Sequence, residues 1–315
     1  MEIGRGLGAK RMIAGLAYVQ LRLARMTEGE ELGGLLFELP DPTPANDEVV
    51  VKAPALPLWT AAKARLISRY IYLFEMVTHH GTYIDGFAGP QSPELPESWA
   101  AEMVLGLKPL WLRHFHLCDA GKPQVRALRE LRTRHAGLDI TVYPGDFNKR
   151  VTEILRPGVL KKEATFCLLD QRTFECTWAT VRKLAGFKTG DAADTKIELF
   201  YFLAQSWLDR AFSGLGEDGR RLAEAWWGTP EWSHLMQMEA WDRARTFCER
   251  FRNELGYKSV KPWAIYASEG GGGRLMFHMI HATDHPEAPK LMARAYEHAT
   301  RGPAQGEQLT WVPKD

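Results

Sequence analysis

The most informative segment of this chain is Thr82-Tyr83-Ile84-Asp85-Gly86-Phe87-Ala88-Gly89-Pro90. Its first residues are β-branched, aromatic or apolar, which favours a short buried strand. An aspartate and a turn with two glycines follow, and glycine lets the backbone come close to a ligand. A strand ending in this way is typical of an α/β protein that binds a ligand at its strand ends. One short glycine motif is a weak indicator, so the pattern has to recur.

The pattern of an apolar run ending in an aspartate does recur. Further runs lead to Asp119, to Asp146 through a Pro-Gly turn, and to Asp170, so that the intervals from Asp85 onward are 34, 27 and 24 residues. Each interval has room for one loop and one crossover helix, the length of a βαβ unit. Residues 197–203 form a fifth run. The sequence therefore predicts an α/β fold with a doubly wound, mostly parallel sheet.

The strand-end residues are candidates for binding a nucleotide-like cofactor, because open α/β sheets bind ligands outside the carboxyl ends of their strands. Asp119 is placed to accept hydrogen bonds from ribose hydroxyls, and Asp146 to meet an adenine amino group while Phe147 covers the base. Each aspartate taken alone is equally well explained as a helix N-cap or turn former. Their serial recurrence favours a shared site, with cofactor-binding residues Asp85, Phe87, Gly89, Asp119, Asp146 and Phe147.

Asp170 is the candidate catalytic acid, because the fourth strand ends beside the expected reactive end of the cofactor. We expect Asp170 to hold or deprotonate an acceptor, on which Phe174 or Trp178 stacks. The alternative is that the acid braces a loop. His278, His281 and His285 are weighed as metal ligands, but positions 278 and 281 of a strand point to opposite faces, so no metal is predicted.

The bulk composition is that of an ordinary globular protein, with 45% hydrophobic and 25% charged residues and a net charge of +1. It gives no global preference for nucleic acid or a membrane. No apolar run approaches the ~18 residues of a membrane span, and we expect a cytoplasmic protein. The cysteines lack C-x-x-C spacing, which predicts reduced, mostly buried thiols.

Several phrases of the sequence resemble, in order, the three-Cys-motif partner protein (TcmP) family, from about Trp59 to Tyr296. They are Trp59-Thr60-x-x-Lys63, Tyr83-Ile84-Asp85-Gly86-Phe87-Ala88-Gly89-Pro90, Gly145-Asp146-Phe147-Asn148, Leu169-Asp170, Gly228-Thr229-Pro230-Glu231-Trp232 and Ile280-His281-Ala282-Thr283-Asp284-His285-Pro286. The resemblance implies a Rossmann-like methyltransferase fold. It also implies a radical-SAM-like partner protein, which carries the three cysteines of the family's name.

Two positions depart from the family's usual pattern. Gln91 follows Gly89-Pro90 where the family usually has another glycine, which adds a side chain where a cofactor should approach. Gln171-Arg172-Thr173 follows Asp170 where the family usually has proline and then an aromatic residue or glycine. These departures leave open a pocket that is repurposed or binds no cofactor.

The regions of the chain differ in composition. Residues 1–58 are predicted to be an N-terminal extension and a proline-rich arm, because proline breaks helices and central strands. Residues 10–25 are typical of an extension or a packing helix, with a transit peptide as the alternative. Residues 59–215 are predicted to form the Rossmann-like cofactor-binding core. Residues 216–315 are predicted to add a helical region and an edge β-hairpin around glycines 270–273.

The leading hypothesis is an S-adenosylmethionine-dependent methyltransferase whose acceptor is a nucleic-acid base, a peptide or a small metabolite. A non-catalytic binding or regulatory protein with a degenerate pocket is the first alternative. An enzyme that uses the same pocket for another reaction is the second.

Overall fold

The structure is a computed structural model, which describes residues 59–92, 95–156, 158–188, 196–267 and 274–300. The predicted extension of residues 1–58 and the glycine turn at 270–273 lie outside the described residues.

The described elements alternate between strands and helices. The strands are β1 Thr82–Asp85, β2 His114–Asp119, β3 Asp139–Pro144, β4 Thr165–Leu169, β5 Glu198–Leu203, β6 Ser259–Ala267 and β7 Arg274–Thr283. The α-helices are α1 Trp59–Thr78, α2 Ala100–Leu105, α3 Lys122–Arg134, α4 Phe147–Ile154, α5 Val159–Lys162, α6 Trp178–Gly186, α7 Gln205–Ser213, α8 Glu217–Trp227, α9 Ala240–Asn253 and α10 Ala288–Thr300. Short 3-10 helices cover Pro96–Ser98 and Pro230–Gln237.

The strands form one seven-stranded sheet in the order β3-β2-β1-β4-β5-β7-β6. Strands β1 to β5 are parallel, and β7 runs antiparallel to both β5 and β6. The chain moves outward in one direction from β1 and in the other from β4, so a crevice opens between the carboxyl ends of these two strands. This is the sheet of the Rossmann-like methyltransferase fold. The predicted doubly wound sheet and its C-terminal edge hairpin are confirmed.

The central strands are covered on both faces. Every residue of β1, β4 and β5 is buried, as expected of parallel strands that read as continuous apolar runs. One apolar core packs α1, α2 and α10 against one face, and a second core packs α4, α6 and α9 against the other. Helix α1 thereby lies across the sheet next to the crevice. None of the described helices is both long and apolar enough to cross a membrane.

Candidate functional site

Backbone hydrogen bonds draw the ends of β1, β2 and β4 together with the turn after β3. The loop after β1 donates from the Gly86 amide to the Leu168 carbonyl over 3.0 Å and from the Ala88 amide to the Cys118 carbonyl over 2.8 Å. The Gly145 amide donates to the Asp119 carbonyl over 2.8 Å. The structure therefore brings the acid-bearing segments to one edge of the sheet.

Asp85 is buried at the end of β1. Its Oδ2 accepts from the Tyr83 hydroxyl and its Oδ1 from the Phe87 amide, each over 3.1 Å. Burial raises the pKa of Asp85 to about 7, and the nearby Asp170 carboxylate acts in the same direction, whereas the Phe87 amide opposes the shift. A carboxyl group that titrates near neutrality in a crevice is typical of a functional site.

Asp119 joins two loops. Its Oδ2 accepts from the Gly89 amide over 2.9 Å, and its Oδ1 accepts from the Gly121 amide over 2.8 Å. A Cβ built on Gly89 would lie 2.2 Å from the Cβ of Gln124 and 2.6 Å from Asp119 Oδ2. Glycine is required at position 89 because α3 approaches the loop there. Each carboxylate oxygen of Asp119 still has a second lone pair for another donor.

Asp146 caps helix α4 at its N-terminus. Its Oδ1 accepts from the Asn148 backbone amide over 2.9 Å and from the Asn148 side-chain amide over 2.8 Å. Its carboxylate is exposed at the rim. Phe147 lies beneath the loop, with 2% of its surface exposed, and a Cβ on Gly86 would lie 2.9 Å from its ring. The structure thus places Asp146 on the rim and Phe147 in the core.

Asp170, whose side chain is 17% exposed, forms an ion pair with a buried residue of helix α1. The Lys63 ammonium lies 2.7 Å from Asp170 Oδ1 and 2.6 Å from Oδ2. The Lys63 side chain is 4% exposed, and its ammonium lies about 5 Å from the ring centroids of Phe202 and Phe277. Lys63 stood in the first phrase of the family resemblance. Nothing in the sequence pairs it with an acid 107 residues away.

The other residues expected near the acceptor lie elsewhere. Phe174 is 6% exposed, and its ring packs against Phe212 and Trp226 in the apolar core. Trp178 is also buried, and its indole nitrogen donates to Glu254 over 2.9 Å. Neither aromatic residue lines the cavity beside Asp170.

The cavity at this edge encloses about 390 Å³ of empty space, part of which is open to solvent. Its charged lining consists of Lys63, Asp85 and Asp170, and residues 87–91 form its loop wall. Trp99 also lines it and fixes this loop by donating from its indole nitrogen to the Ala88 carbonyl over 2.6 Å. The lining therefore places one ammonium and two carboxyl groups beside a close-packed glycine loop.

The two departures from the family's pattern have different surroundings. Gln171 is buried, and its Oε1 accepts from the Cys176 amide over 2.9 Å while its Nε2 donates to the Phe202 carbonyl over 3.4 Å. Gln171 therefore braces the loop after β4. Gln91 is exposed and lines the cavity.

The cysteines are all free and buried, as predicted. Burial raises the pKa of Cys118 and of Cys248 to about 12, so both thiols are protonated at neutral pH. A protonated thiol is a poor nucleophile and metal ligand.

The histidines of β7 and its C-terminal turn have separate partners. His278 Nδ1 lies 2.9 Å from Gln205 Nε2, and His281 Nε2 lies 2.9 Å from Glu198 Oε1. His285 Nδ1 accepts from a backbone amide. Within the described ranges, no group of three or more His, Cys, Asp or Glu side chains is arranged to hold a metal ion.

The strand order and the glycine loop define the class of fold, the Rossmann-like methyltransferase sheet. Neither a protein-family model nor a curated protein matches this sequence. Solved structures that are similar include TYW2 from M. jannaschii in complex with AdoMet, which is 13% identical over 71% of this chain and 75% of that chain, with a TM-score of 0.36. Trm5b from Pyrococcus abyssi is 11% identical over 70% of this chain and 49% of that chain, with a TM-score of 0.35. An S-adenosylmethionine-dependent methyltransferase from Clostridium acetobutylicum is 9% identical over 73% of this chain and 79% of that chain, with a TM-score of 0.28.

Proposed function

We propose that this chain is an S-adenosylmethionine-dependent methyltransferase. One observation carries the proposal: Asp85, Asp119 and Asp170 converge around a glycine loop at the carboxyl ends of β1, β2 and β4, beside a cavity of about 390 Å³. Ligands of open α/β sheets bind at this edge. The resemblance to the TcmP family supports the same assignment.

Each acid has a role in the proposed site. Asp119 accepts from the ribose hydroxyls with its remaining lone pairs, and Asp146 accepts from the adenine amino group. Asp85 and the loop of residues 87–91 enclose the amino-acid end. When bound, S-adenosylmethionine supplies an electrophilic methyl group. Because methyl transfer is an in-line displacement, the protein contributes mainly alignment of the acceptor.

Asp170 orients the acceptor in this proposal. Both of its oxygens face the Lys63 ammonium, which fixes the carboxylate at the end of β4. An acceptor site made of an acid and an aromatic ring, as expected from Asp170 and Phe174, lacks structural support because Phe174 is buried among other aromatic rings. A flat nucleic-acid base is therefore favoured no more than a peptide or a small metabolite.

Calorimetry with S-adenosylmethionine and S-adenosylhomocysteine tests the cofactor assignment. We expect both to bind, and Asp119→Ala to abolish binding, because it removes the ribose acceptor and releases the Gly89 amide. Asp218→Ala is the matched control, since Asp218 is 98% exposed on helix α8. Circular dichroism checks that each variant is folded. Absence of binding by the folded wild-type protein would contradict the proposal.

A transfer screen separates the methyltransferase from a non-catalytic binding protein, the alternative that Gln91 in the cavity wall favours. Tritiated S-adenosylmethionine is supplied with pools of DNA, tRNA, peptides and small metabolites. Label in one pool supports an enzyme and identifies its acceptor class. If the wild-type protein and Gln91→Gly both bind S-adenosylmethionine but transfer label to none of the pools, the non-catalytic alternative is supported. Addition of a radical-SAM-like partner to the screen tests whether transfer depends on the partner implied by the TcmP resemblance.

A further inference from the structure

Helix α3 carries an unbalanced positive charge. Its residues, Lys122–Arg134, include five basic side chains and one acidic side chain, Glu130. The net charge of the helix is therefore +4, whereas that of the whole chain is +1. Because the rest of the chain is net negative, the overall charge conceals a local excess of cations on this helix.

The cations of α3 face the solvent. Buried apolar residues at every third position hold the other side of the helix against the sheet. The exposed cations are Lys122, Arg126, Arg129 and Arg132. Within the described part of the chain, no acidic side chain forms an ion pair with any of these four, whereas Arg134 pairs with Glu102. Like charges one turn apart destabilise a helix, so bound anions would stabilise this face.

The spacing of these four cations fits a row of phosphates. They follow one another along α3 at intervals of four, three and three residues. At ~1.5 Å per residue the row is about 15 Å long. A nucleic-acid duplex carries one phosphate every ~3.4 Å along each strand, so about four phosphates lie opposite the row. Three of the cations are arginines, which bind phosphate oxygens with two donors at once.

The rest of the exposed face distinguishes among anionic partners. The most exposed large hydrophobic residues of the described chain, Met76, Leu95, Leu222 and Met236, all lie outside α3. A helix on a membrane surface needs an apolar face to insert, and a protein interface needs apolar or aromatic anchors. Single strands bind by stacking their bases on aromatic rings, and α3 has none. The backbone of a duplex needs only the cations.

Helix α3 also begins beside the proposed cofactor site. The Gly121 amide, just before the helix, donates to Asp119 over 2.8 Å, and Gln124 packs against Gly89. We infer that the exposed face of α3 binds the phosphate backbone of a nucleic-acid duplex, which then lies next to the edge of the sheet that holds this site. The inference goes beyond the proposed function, because backbone binding requires neither the cofactor nor methyl transfer.

Fluorescence anisotropy with labelled duplexes of mixed sequence measures this binding for the full-length protein. DNA and RNA duplexes, which share the phosphodiester backbone, are separate arms, and the corresponding single strands are a third. We expect duplex binding at ~50 mM salt. A plot of the logarithm of the association constant against that of the salt concentration should have a slope of about −3.5 or steeper, since each neutralised phosphate contributes ~0.9.

The variants Arg126→Gln and Arg129→Gln each remove one of the four cations. Each should weaken duplex binding about tenfold at ~50 mM salt and reduce the magnitude of the salt slope by about 0.9. Arg221→Gln and Arg245→Gln are the matched controls, because these exposed arginines of α8 and α9 pair with acids on their own helices. Both controls change the net charge equally, yet should bind the duplex as wild type does. Circular dichroism checks that all four variants are folded.

Three results would overturn the inference. The first is a wild-type protein that binds no duplex, and the second is equal weakening by the α3 variants and the controls. The third is tighter binding of single strands, polyglutamate or phosphatidylserine vesicles than of either duplex. The proposed function fails separately: the α3 variants should bind S-adenosylhomocysteine as wild type does, and a protein that binds duplexes but no S-adenosylhomocysteine would contradict the proposed function alone.

Discussion

Two cavities of similar size lie at opposite ends of the sheet. The first, of about 390 Å³, is at the carboxyl ends of β1 and β4, and the second, of about 410 Å³, is at the amino ends of β4 and β5. The second is lined by Thr165 and Glu198, which begin these strands, and by Thr283, which ends the antiparallel β7. Volume alone therefore does not identify a functional site.

Glu198, which lines the second cavity, is bound by neighbouring side chains. Glu198 Oε1 accepts from the Tyr70 hydroxyl and lies 2.9 Å from His281 Nε2, while its Oε2 accepts from the Thr283 hydroxyl over 2.9 Å. All of these side chains are buried. We call this set of four residues the Glu198 cluster. In this cluster the buried Glu198 carboxylate of β5 is hydrogen-bonded by side chains from α1 and β7. This is the expected arrangement for a polar group inside a core.

The first cavity differs in the balance of its charges. Its wall holds two acids and one ammonium beside a glycine loop, and burial raises the pKa of Asp85 to about 7. Buried polar groups that pair with one another, as in the Glu198 cluster, indicate a structural role. An uneven set of charges at the carboxyl ends of strands indicates a ligand site.

The largest expected effect comes from removing the centre of the Glu198 cluster. Glu198→Ala leaves three buried polar partners without their acceptor, so we expect the free energy of unfolding to fall by about 4 kcal/mol. Urea unfolding measures this loss. The affinity of the folded variant for S-adenosylhomocysteine should stay within about threefold of wild type, a change of less than ~1 kcal/mol.

The same substitution at Glu217 is the control. Glu217 forms an exposed pair with Arg221 one helical turn away, so its removal should cost no more than ~0.5 kcal/mol. A Glu198→Ala variant of unchanged stability that no longer binds S-adenosylhomocysteine would reverse the roles assigned to the two cavities.

Much of the fold is predictable because strand signals are local. The apolar runs before Asp85, Asp119 and Asp170 are strands that end at or just before these acids. The aspartates also reach one edge, since parallel strands share the direction of their carboxyl ends. The position of the hairpin beside β5 follows from its apolar, β-branched strands and the free edge they cover.

The candidate site is less predictable because its contacts join residues distant in sequence. Lys63 meets Asp170 only through the packing of α1 across the sheet. Phe174 and Gln171 follow the fourth strand as an acceptor-site residue would, yet both side chains turn inward, one to an aromatic core and one to the Cys176 amide. The number of residues between a strand end and a loop residue does not determine the direction in which the loop side chain points.

The pH dependence of stability tests whether Asp85 differs electrostatically from the carboxylate of the Glu198 cluster. Burial raises the pKa of Asp85 to about 7, whereas an unfolded aspartate titrates near pH ~4. The folded state therefore binds more protons between these values, and this group's contribution to stability falls as the pH rises through that window. Relative to wild type, Asp85→Asn should gain about 2 kcal/mol in free energy of unfolding between about pH 5 and about pH 8.

Denaturant unfolding at several pH values measures this gain. Asp218→Asn, on an exposed residue, should show a flat difference from wild type over the same range. If the difference in free energy of unfolding between Asp85→Asn and wild type also stays constant with pH, Asp85 has an ordinary pKa. The electrostatic distinction between the first cavity and the Glu198 cluster would then be wrong.

Gly89→Ala tests whether the shape of the loop matters to the ligand. The added Cβ would lie 2.2 Å from Gln124 Cβ, so the loop or helix α3 must move. We expect a loss of about 1.5 kcal/mol in stability from overpacking, and about tenfold weaker binding of S-adenosylhomocysteine, equivalent to ~1.4 kcal/mol. Gly137→Ala, where a Cβ meets nothing within 4 Å, is the matched control. Unchanged affinity in Gly89→Ala would place the ligand away from this loop.

The smallest expected effect concerns Asp146, which has both a structural and a proposed binding role. Asp146→Ala removes the N-cap of α4 and should lower stability by about 1 kcal/mol. Asp146→Ser keeps a cap but lacks the carboxylate. If Asp146 accepts from the adenine amino group, the wild-type protein should prefer S-adenosylhomocysteine to S-inosylhomocysteine, which has an oxygen in place of that amino group.

Both variants should then lose this preference. Only Asp146→Ala should lose stability, because the serine hydroxyl of Asp146→Ser still accepts a hydrogen bond from the Asn148 backbone amide. Calorimetry with the two nucleosides and urea unfolding separate the roles. A preference that survives in both variants would make Asp146 a cap alone. The ligand site would then be confined to the cavity that holds Lys63, Asp85 and Asp170, and the adenine would be recognised by some other part of the rim.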